Sequence, residues 1–212
     1  MTATGWRSGR AIARLLAISM TAALLTLGMV QPVLGHENQV IQYGSFLAGL
    51  THPVLGLDHF LAMVSVGIVS ALMGGRAIWT VPATFVAMMG VGGVAGAAGL
   101  GISGEAIELA IATSVIALGA VILLNRQLPM AVAMAVVAFF GFFHGVAHGA
   151  EIPEIADPLV YAAGFIIGTI LLHLLGVLIG DIAKRYQYGI LVLRAAGGVF
   201  VILGTMFFLG VL

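Results

Sequence analysis

The sequence predicts an all-α membrane protein, a bundle of about six transmembrane helices, and three observations carry that reading. First, 61% of the 212 residues are hydrophobic and only 8% are charged, against roughly half and a quarter in a soluble domain. Eight basic and eight acidic side chains cannot furnish a water-facing surface for a chain of this length, so lipid is the expected solvent. Second, after residue 40 the chain divides into apolar segments at 57–73, 79–99, 104–124, 129–149, 158–181 and 189–211. Each is near the roughly 20 residues that cross a hydrocarbon core about 30 Å thick. Third, basic residues alternate between the connecting loops. Arg76 follows the first segment, Arg126 the third, and Lys184 with Arg185 the fifth, while the other loops hold Gly101–Gly104 and the acidic stretch 151–158. Basic loops stay cytoplasmic, so both mature termini are expected in the periplasm of a bacterial inner membrane. Arg194 falls near the cytoplasmic end of the last segment.

Residues 1–35 read as a secretory signal. Arg7, Arg10 and Arg14 form a basic region, an apolar run follows from Leu15 to about Val30, and Val33-Leu34-Gly35 offers modest side chains for cleavage. That run is short for a span, although an uncleaved first helix is the alternative. Cleavage leaves residues 36–212 as a single transmembrane domain. Ahead of the first span, Tyr43, Phe46, Leu47 and Leu50 recur at helical spacing and predict a short amphipathic helix over 43–51. One unbroken helix from 43 to 73 would be about 46 Å long at about 1.5 Å per residue, longer than the core is thick. Pro53 and Gly56 supply the expected break. Glycines at 92/96, 141/145/149 and 164/168 are spaced four apart, which lets membrane helices approach closely.

Composition also excludes function classes. There is no cysteine, so disulfides, thiolate zinc sites and Cys-ligated iron–sulfur clusters are out. One lysine, Lys184, and zero net charge argue against nucleic acid as a partner. Membrane lipid is the partner composition predicts, with oligomeric state open. No Gly-x-x-x-x-Gly-Lys-[Ser/Thr] sequence is present, so the chain carries no P-loop ATPase. Any transport through it would be facilitated, ion-coupled or driven by a separate protein.

Two motifs carry chemistry. The first, His52-Pro53-Val54-Leu55-Gly56-Leu57-Asp58-His59, spans the expected break, where membrane transporters place ion sites. Imidazole with carboxylate suits nickel, cobalt, zinc or copper better than magnesium or calcium. Asp58 could ligate directly or orient an imidazole from behind; an interfacial helix-capping role is the bland alternative. The second motif, Phe143-His144-Gly145-Val146-Ala147-His148-Gly149-Ala150-Glu151, closes the fourth span. On a helix, positions 144, 148 and 151 share an arc of about 60°, so two imidazoles and a carboxylate face one way. The glycine stripe beside them is expected to admit a neighbouring helix bearing further ligands. By the loop charges, this end of the fourth span and the start of the first both lie near the periplasmic face. Histidine ligates only when neutral, and its unperturbed pKa is about 6.5, so uptake should weaken in more acidic medium.

Taken together the two motifs resemble the HupE/UreJ family of nickel and cobalt permeases, whose His-Pro-x-x-Gly-x-Asp-His and Phe-His-Gly-x-Ala-His-Gly-x-Glu patterns stand at His52–His59 and Phe143–Glu151. The likeness extends to the signal sequence, the mature start near His36 and the overall size. It implies import of Ni²⁺ or Co²⁺ for maturation of a metalloenzyme such as hydrogenase or urease, or for cobalamin, with no organic cofactor and no enzymatic activity. The candidate metal residues are His52, Asp58, His59, His144, His148 and Glu151. His173, inside the fifth span, is either a relay ligand on the exit path or a core histidine. His36, as a new N-terminus, would pair a free amine with an imidazole. Glu105 and Glu108 read as helix-start acids, Glu154 and Asp157 as a solvated acidic loop. Two other classes compete: a zinc-dependent intramembrane hydrolase with three histidines and a carboxylate, and a haem protein with His59 or His148 as axial ligand.

Overall fold

A computed structural model describes residues 44–152 and 156–212. The expected signal segment 1–35, His36 and Glu154 lie outside the described residues. Seven helices make up the described chain, with no strand among the described residues: α1 Ser45–Leu55, α2 Leu57–Met73, α3 Ala77–Ala97, α4 Gly104–Leu124, α5 Met130–Ala150, α6 Pro158–Arg185 and α7 Gly189–Phe208. Five of them, α3 to α7, are long and apolar enough to cross a membrane, and α1 with α2 makes a sixth if the bent pair is one span. The chain is a multi-pass membrane protein.

Span positions follow the hydropathy closely, and the differences have local causes. α3 begins at Ala77 because Gly74 and Gly75 take φ of +74° and +54° and turn the chain tightly enough for helix to restart at once. α6 runs on to Arg185, where Asp181 pairs with Arg185 one turn away at 2.6 Å and holds the helix past its apolar stretch. Asp157, expected as a solvated loop acid, is the N-cap of α6: its carboxylate accepts from the backbone N–H of Leu159 and Val160 at 3.0 and 3.1 Å.

The first break falls at Gly56, where α1 and α2 meet at 82°. Pro53 does not break the helix; it lies in the last turn of α1, with its ring against the α6 backbone at Gly168. Gly56 takes an extended φ of −83° and ψ of 114° that ends one helix and opens the next.

α2 is the hub. Every residue from Leu61 to Ala71 is buried, whereas α7 buries only Leu193, Gly197 and Gly204 and turns Leu191, Val199 and Ile202 outward, as a lipid-facing helix should. Glycines set the distances between helices. A methyl group at Gly92 or Gly145 would land on the carbonyl of Phe142 or Met89, so α3 and α5 touch backbone to backbone. Gly67 and Gly176 do the same for α2 and α6, and Gly49 and Gly164 for α1 and α6.

The two ends of the bundle differ in charge. At one end Lys184 donates to the carbonyl of Ala71 at 2.8 Å, Arg194 to that of Leu123 at 2.9 Å, and Gln127, beside Arg126, to that of Leu72 at 3.3 Å. These cations and this amide satisfy the last carbonyls of α2 and α4. At the other end Ser45, opening α1, accepts from the backbone N–H of Asp157 at 2.9 Å. The break at Gly56 and the C-terminus of α5 share that second end.

Candidate functional site

Three stretches of chain meet at this end. α1 delivers His52 from its last turn, α2 delivers Asp58 and His59 from its first, and α5 delivers His144, His148 and the adjoining Glu151 from its last. The 82° bend at Gly56 lets residues seven apart reach the same crevice, since a straight helix would set them almost two turns, about 10.5 Å, apart along its axis. Gly145 and Gly149 drop α3 onto one side of α5, and the imidazoles fill the adjacent side.

The rings form a contiguous series. Centroids of His52 and His148 are 4.9 Å apart, those of His148 and His59 4.4 Å, and those of His59 and His144 5.2 Å. With a metal–nitrogen distance of about 2.0–2.1 Å, two imidazoles on one ion at 90–110° have centroids about 4.5–5.2 Å apart, so each neighbouring pair in the series is spaced close to that of cis ligands. Two axial imidazoles on opposite faces of a haem iron would be about 6 Å apart. Within the series one set is compact enough to grip an ion as it stands. Ligand atoms of His52, His148 and Glu151 all lie within 4.8 Å of one another, with Glu151 Oε2 3.7 Å from both His52 Nε2 and His148 Nδ1.

Hydrogen bonds on the far side of each ring fix which nitrogen faces the cluster. Asp58 Oδ1 accepts from His59 Nδ1 at 2.7 Å and from the His59 backbone N–H at 2.8 Å. His144 Nδ1 lies 2.9 Å from the carbonyl of Phe140. A carboxylate or carbonyl can only accept, so both rings carry their proton on Nδ1 and present a bare Nε2. Both Nε2 atoms are buried without a hydrogen-bond partner, as are both nitrogens of His148. Buried polar atoms are normally paired, and these bare imidazole nitrogens of one tautomer lie side by side as candidate ligand atoms. Asp58 therefore stands behind His59 and not beside the compact set, the position of a carboxylate that orients an imidazole.

Sequence reasoning missed Tyr161 and two phenylalanines. Tyr161, in the first turn of α6, places its hydroxyl 2.7 Å from His52 Nδ1 and is buried. Its signal was a polar-tipped ring just inside the Asp157 cap of an otherwise apolar helix. Phe165 packs one turn further on against His148, centroids 4.2 Å apart. Phe85 of α3 lies between His144 and His173, at 5.3 and 5.1 Å. His173 is buried with neither ring nitrogen bonded, so it continues the series inward beyond an aromatic ring. The neighbour admitted by the glycine stripe is α3, which carries no imidazole or carboxylate. That expectation is corrected: glycines fix the spacing on one side of α5, and the companion histidines come from α1 and α2 on another. A cavity of about 400 Å³ opens beside the cluster, with Gly93, Gly149, His148, Tyr161 and Phe165 among its lining. Glu105 is exposed at the start of α4, whose N-cap is Ser103.

Comparison with known proteins agrees over nearly the whole chain. The profile of the family described as HupE / UreJ protein matches residues 23–207. Protein HupE of Rhizobium leguminosarum bv. viciae is 39% identical over 194 residues, covering 91% of this chain and 97% of that one. No solved structure matches. A membrane bundle with both histidine motifs in place, matched by the family profile and by a relative of nearly equal length, leaves one assignment: the chain belongs to the HupE/UreJ family.

Proposed function

We propose that the protein is a permease that imports divalent nickel or cobalt across a bacterial inner membrane, the ion being cargo and not a resident cofactor. The compact set of His52, His148 and Glu151, continued inward by bare nitrogens of His59 and His144, is the observation that carries this reading. Two imidazoles with a carboxylate suit a first-row transition ion, and ionisable groups at membrane depth mark ion pathways. In this reading the histidine end faces the periplasm, because the opposite end holds Arg76, Arg126, Lys184 and Arg185. A hydrated ion exchanges water for these side chains, with Glu151 and Asp58 offsetting charge. It then moves past Phe85 toward His173. Residues 1–35 act as the export signal, and the imported ion serves maturation of a metalloenzyme or of cobalamin.

The deciding experiment is uptake of radiolabelled nickel and cobalt by cells making the wild-type protein or a His52→Ala/His148→Ala variant at equal expression. The permease reading expects uptake to fall to the background of cells without the protein; normal uptake by the double variant would sink it. Two imidazoles and a carboxylate are also a catalytic zinc ligand set, and this favours an intramembrane zinc hydrolase as the second reading. One bound zinc ion with hydrolytic activity, and no metal accumulation in cells, would select it.

A further inference from the structure

We propose that the imidazole cluster is two metal stations in series, with His148 common to both. The outer station is His52, His148 and Glu151; the inner is His59, His144 and His148, and it selects among ions. The proposal rests on the permease reading above and says how that site divides.

Geometry separates the stations. Ligand atoms of His52, His148 and Glu151 fit within 4.8 Å of one another, and no other set of three is that compact among the described residues. One ion held there does not also reach His59 and His144. Those two rings nonetheless sit at the spacing of cis ligands, 5.2 Å between centroids, each with a buried, unbonded Nε2. His148 lies between the groups, 4.9 Å from His52 and 4.4 Å from His59, and neither of its nitrogens is committed to a hydrogen bond. A neutral imidazole offers one lone pair at a time. Turning the His148 ring therefore withdraws its nitrogen from the outer ion and presents one to the inner. The outer station is ready-made, and the inner is completed only by that turn.

Burial and ligand chemistry give the stations different tasks. Side-chain exposure falls from 55% at Glu151 and 31% at His52 to none at His144. The outer set, with a carboxylate and room for water, accepts any hydrated divalent ion. The inner set offers three neutral nitrogens and no carboxylate of its own, since Asp58 is turned away to His59 Nδ1. Three imidazoles hold nickel, cobalt, copper or zinc but replace the hydration shell of magnesium or manganese poorly. Hard cations would enter the outer station and stop there.

The test uses the full-length protein in detergent, titrated with Co²⁺ and followed by its ligand-field absorption, alongside cellular uptake. The inner variants His59→Gln and His144→Gln should bind Co²⁺ within about threefold of wild type, while His52→Ala and Glu151→Gln each weaken binding roughly tenfold or more. Despite retained binding, both inner variants should lose nickel uptake. X-ray absorption of nickel on the His52→Ala/Glu151→Gln variant should count three imidazoles. The inner variants lie on different helices, so a folding defect, read by elution profile and thermal midpoint, would not be expected in both. If His59→Gln and His144→Gln, correctly folded, weaken Co²⁺ binding as far as the outer variants, the cluster is one pooled site and the proposal is overturned. A wild-type protein that binds Co²⁺ but imports neither metal would remove the permease reading instead.

Discussion

α5 shows two faces that solve opposite problems. On one, Gly141, Gly145 and Gly149 are pressed so closely onto α3 that no side chain fits between the backbones. On the next, His144 and His148 hold open a polar seam against α1 and α2 in which Nε2 of His59 and His144 and both nitrogens of His148 lack hydrogen-bond partners. The glycine face gives contact, which in lipid is the main force joining helices because no hydrophobic drive operates there. The histidine face relinquishes some of that contact and leaves buried polar atoms unpaired, a cost of order 1–3 kcal/mol each. Close packing on the first face lets α5 tolerate the second. In this family member, rigidity and chemistry occupy adjacent stripes of one helix and depend on different substitutions.

The largest expected effect breaks the rigid face. In Gly145→Leu the first added carbon meets the Met89 carbonyl and the Gly93 backbone nitrogen, neither of which can yield without moving α3. Overpacking of this kind costs about 1–3 kcal/mol or more, so the thermal midpoint in detergent and the yield of folded protein should both fall sharply. Unchanged stability would mean that α3 and α5 are not in backbone contact.

The chemical face should respond in the reverse manner, losing binding or uptake while stability holds. Asp58→Asn keeps the shape but removes the charge that holds the proton on His59 Nδ1. Acting through His59 of the inner station, the change should cut nickel uptake about 10-fold or more, at an unshifted thermal midpoint and with Co²⁺ binding within about threefold of wild type. Tyr161→Phe deletes the hydroxyl 2.7 Å from His52 Nδ1 and frees that ring. A net hydrogen bond is worth about 0.5–1.5 kcal/mol, so Co²⁺ affinity should fall by a few-fold, with a smaller loss of uptake than for Asp58→Asn. Equal losses of uptake in the two would show that the charge of Asp58 contributes no more than a single neutral hydrogen bond.

The smallest effect checks that helical glycines differ by position and not by type. Gly198, on the peripheral α7, has only Leu123 Cδ1 within reach of an added carbon, at an ordinary 3.7 Å. Gly198→Ala should therefore stabilise the protein by up to about 1 kcal/mol through helix propensity alone, seen as a small rise in thermal midpoint with uptake unchanged.

Much of the fold was readable because lipid imposes a simple rule. Every span must be about 20 apolar residues with its backbone bonded internally, so run lengths locate α3 to α7 to within a few residues. Six candidate ligand positions were readable for a related reason: His and Asp or Glu within otherwise apolar segments are expensive, and stand out. Asp58 was legible as a polar intrusion but not as an orienting group, since that depends on which oxygen meets which ring nitrogen. Pro53 was misread because proline has only a local preference against helix, and packing on Gly168 decided otherwise.

What the sequence determined alone was the number and extent of the helices, the charge of each end and the list of imidazoles and carboxylates, because each follows from the exchange of water for lipid one segment at a time. The tertiary structure alone decided which helix each glycine admits, that Tyr161, Phe165 and Phe85 line the imidazole series, and that three of the six candidates form the compact set while Asp58 stands behind. Those outcomes depend on rotations and crossings fixed by side chains distant in sequence, and helical periodicity carries no record of them.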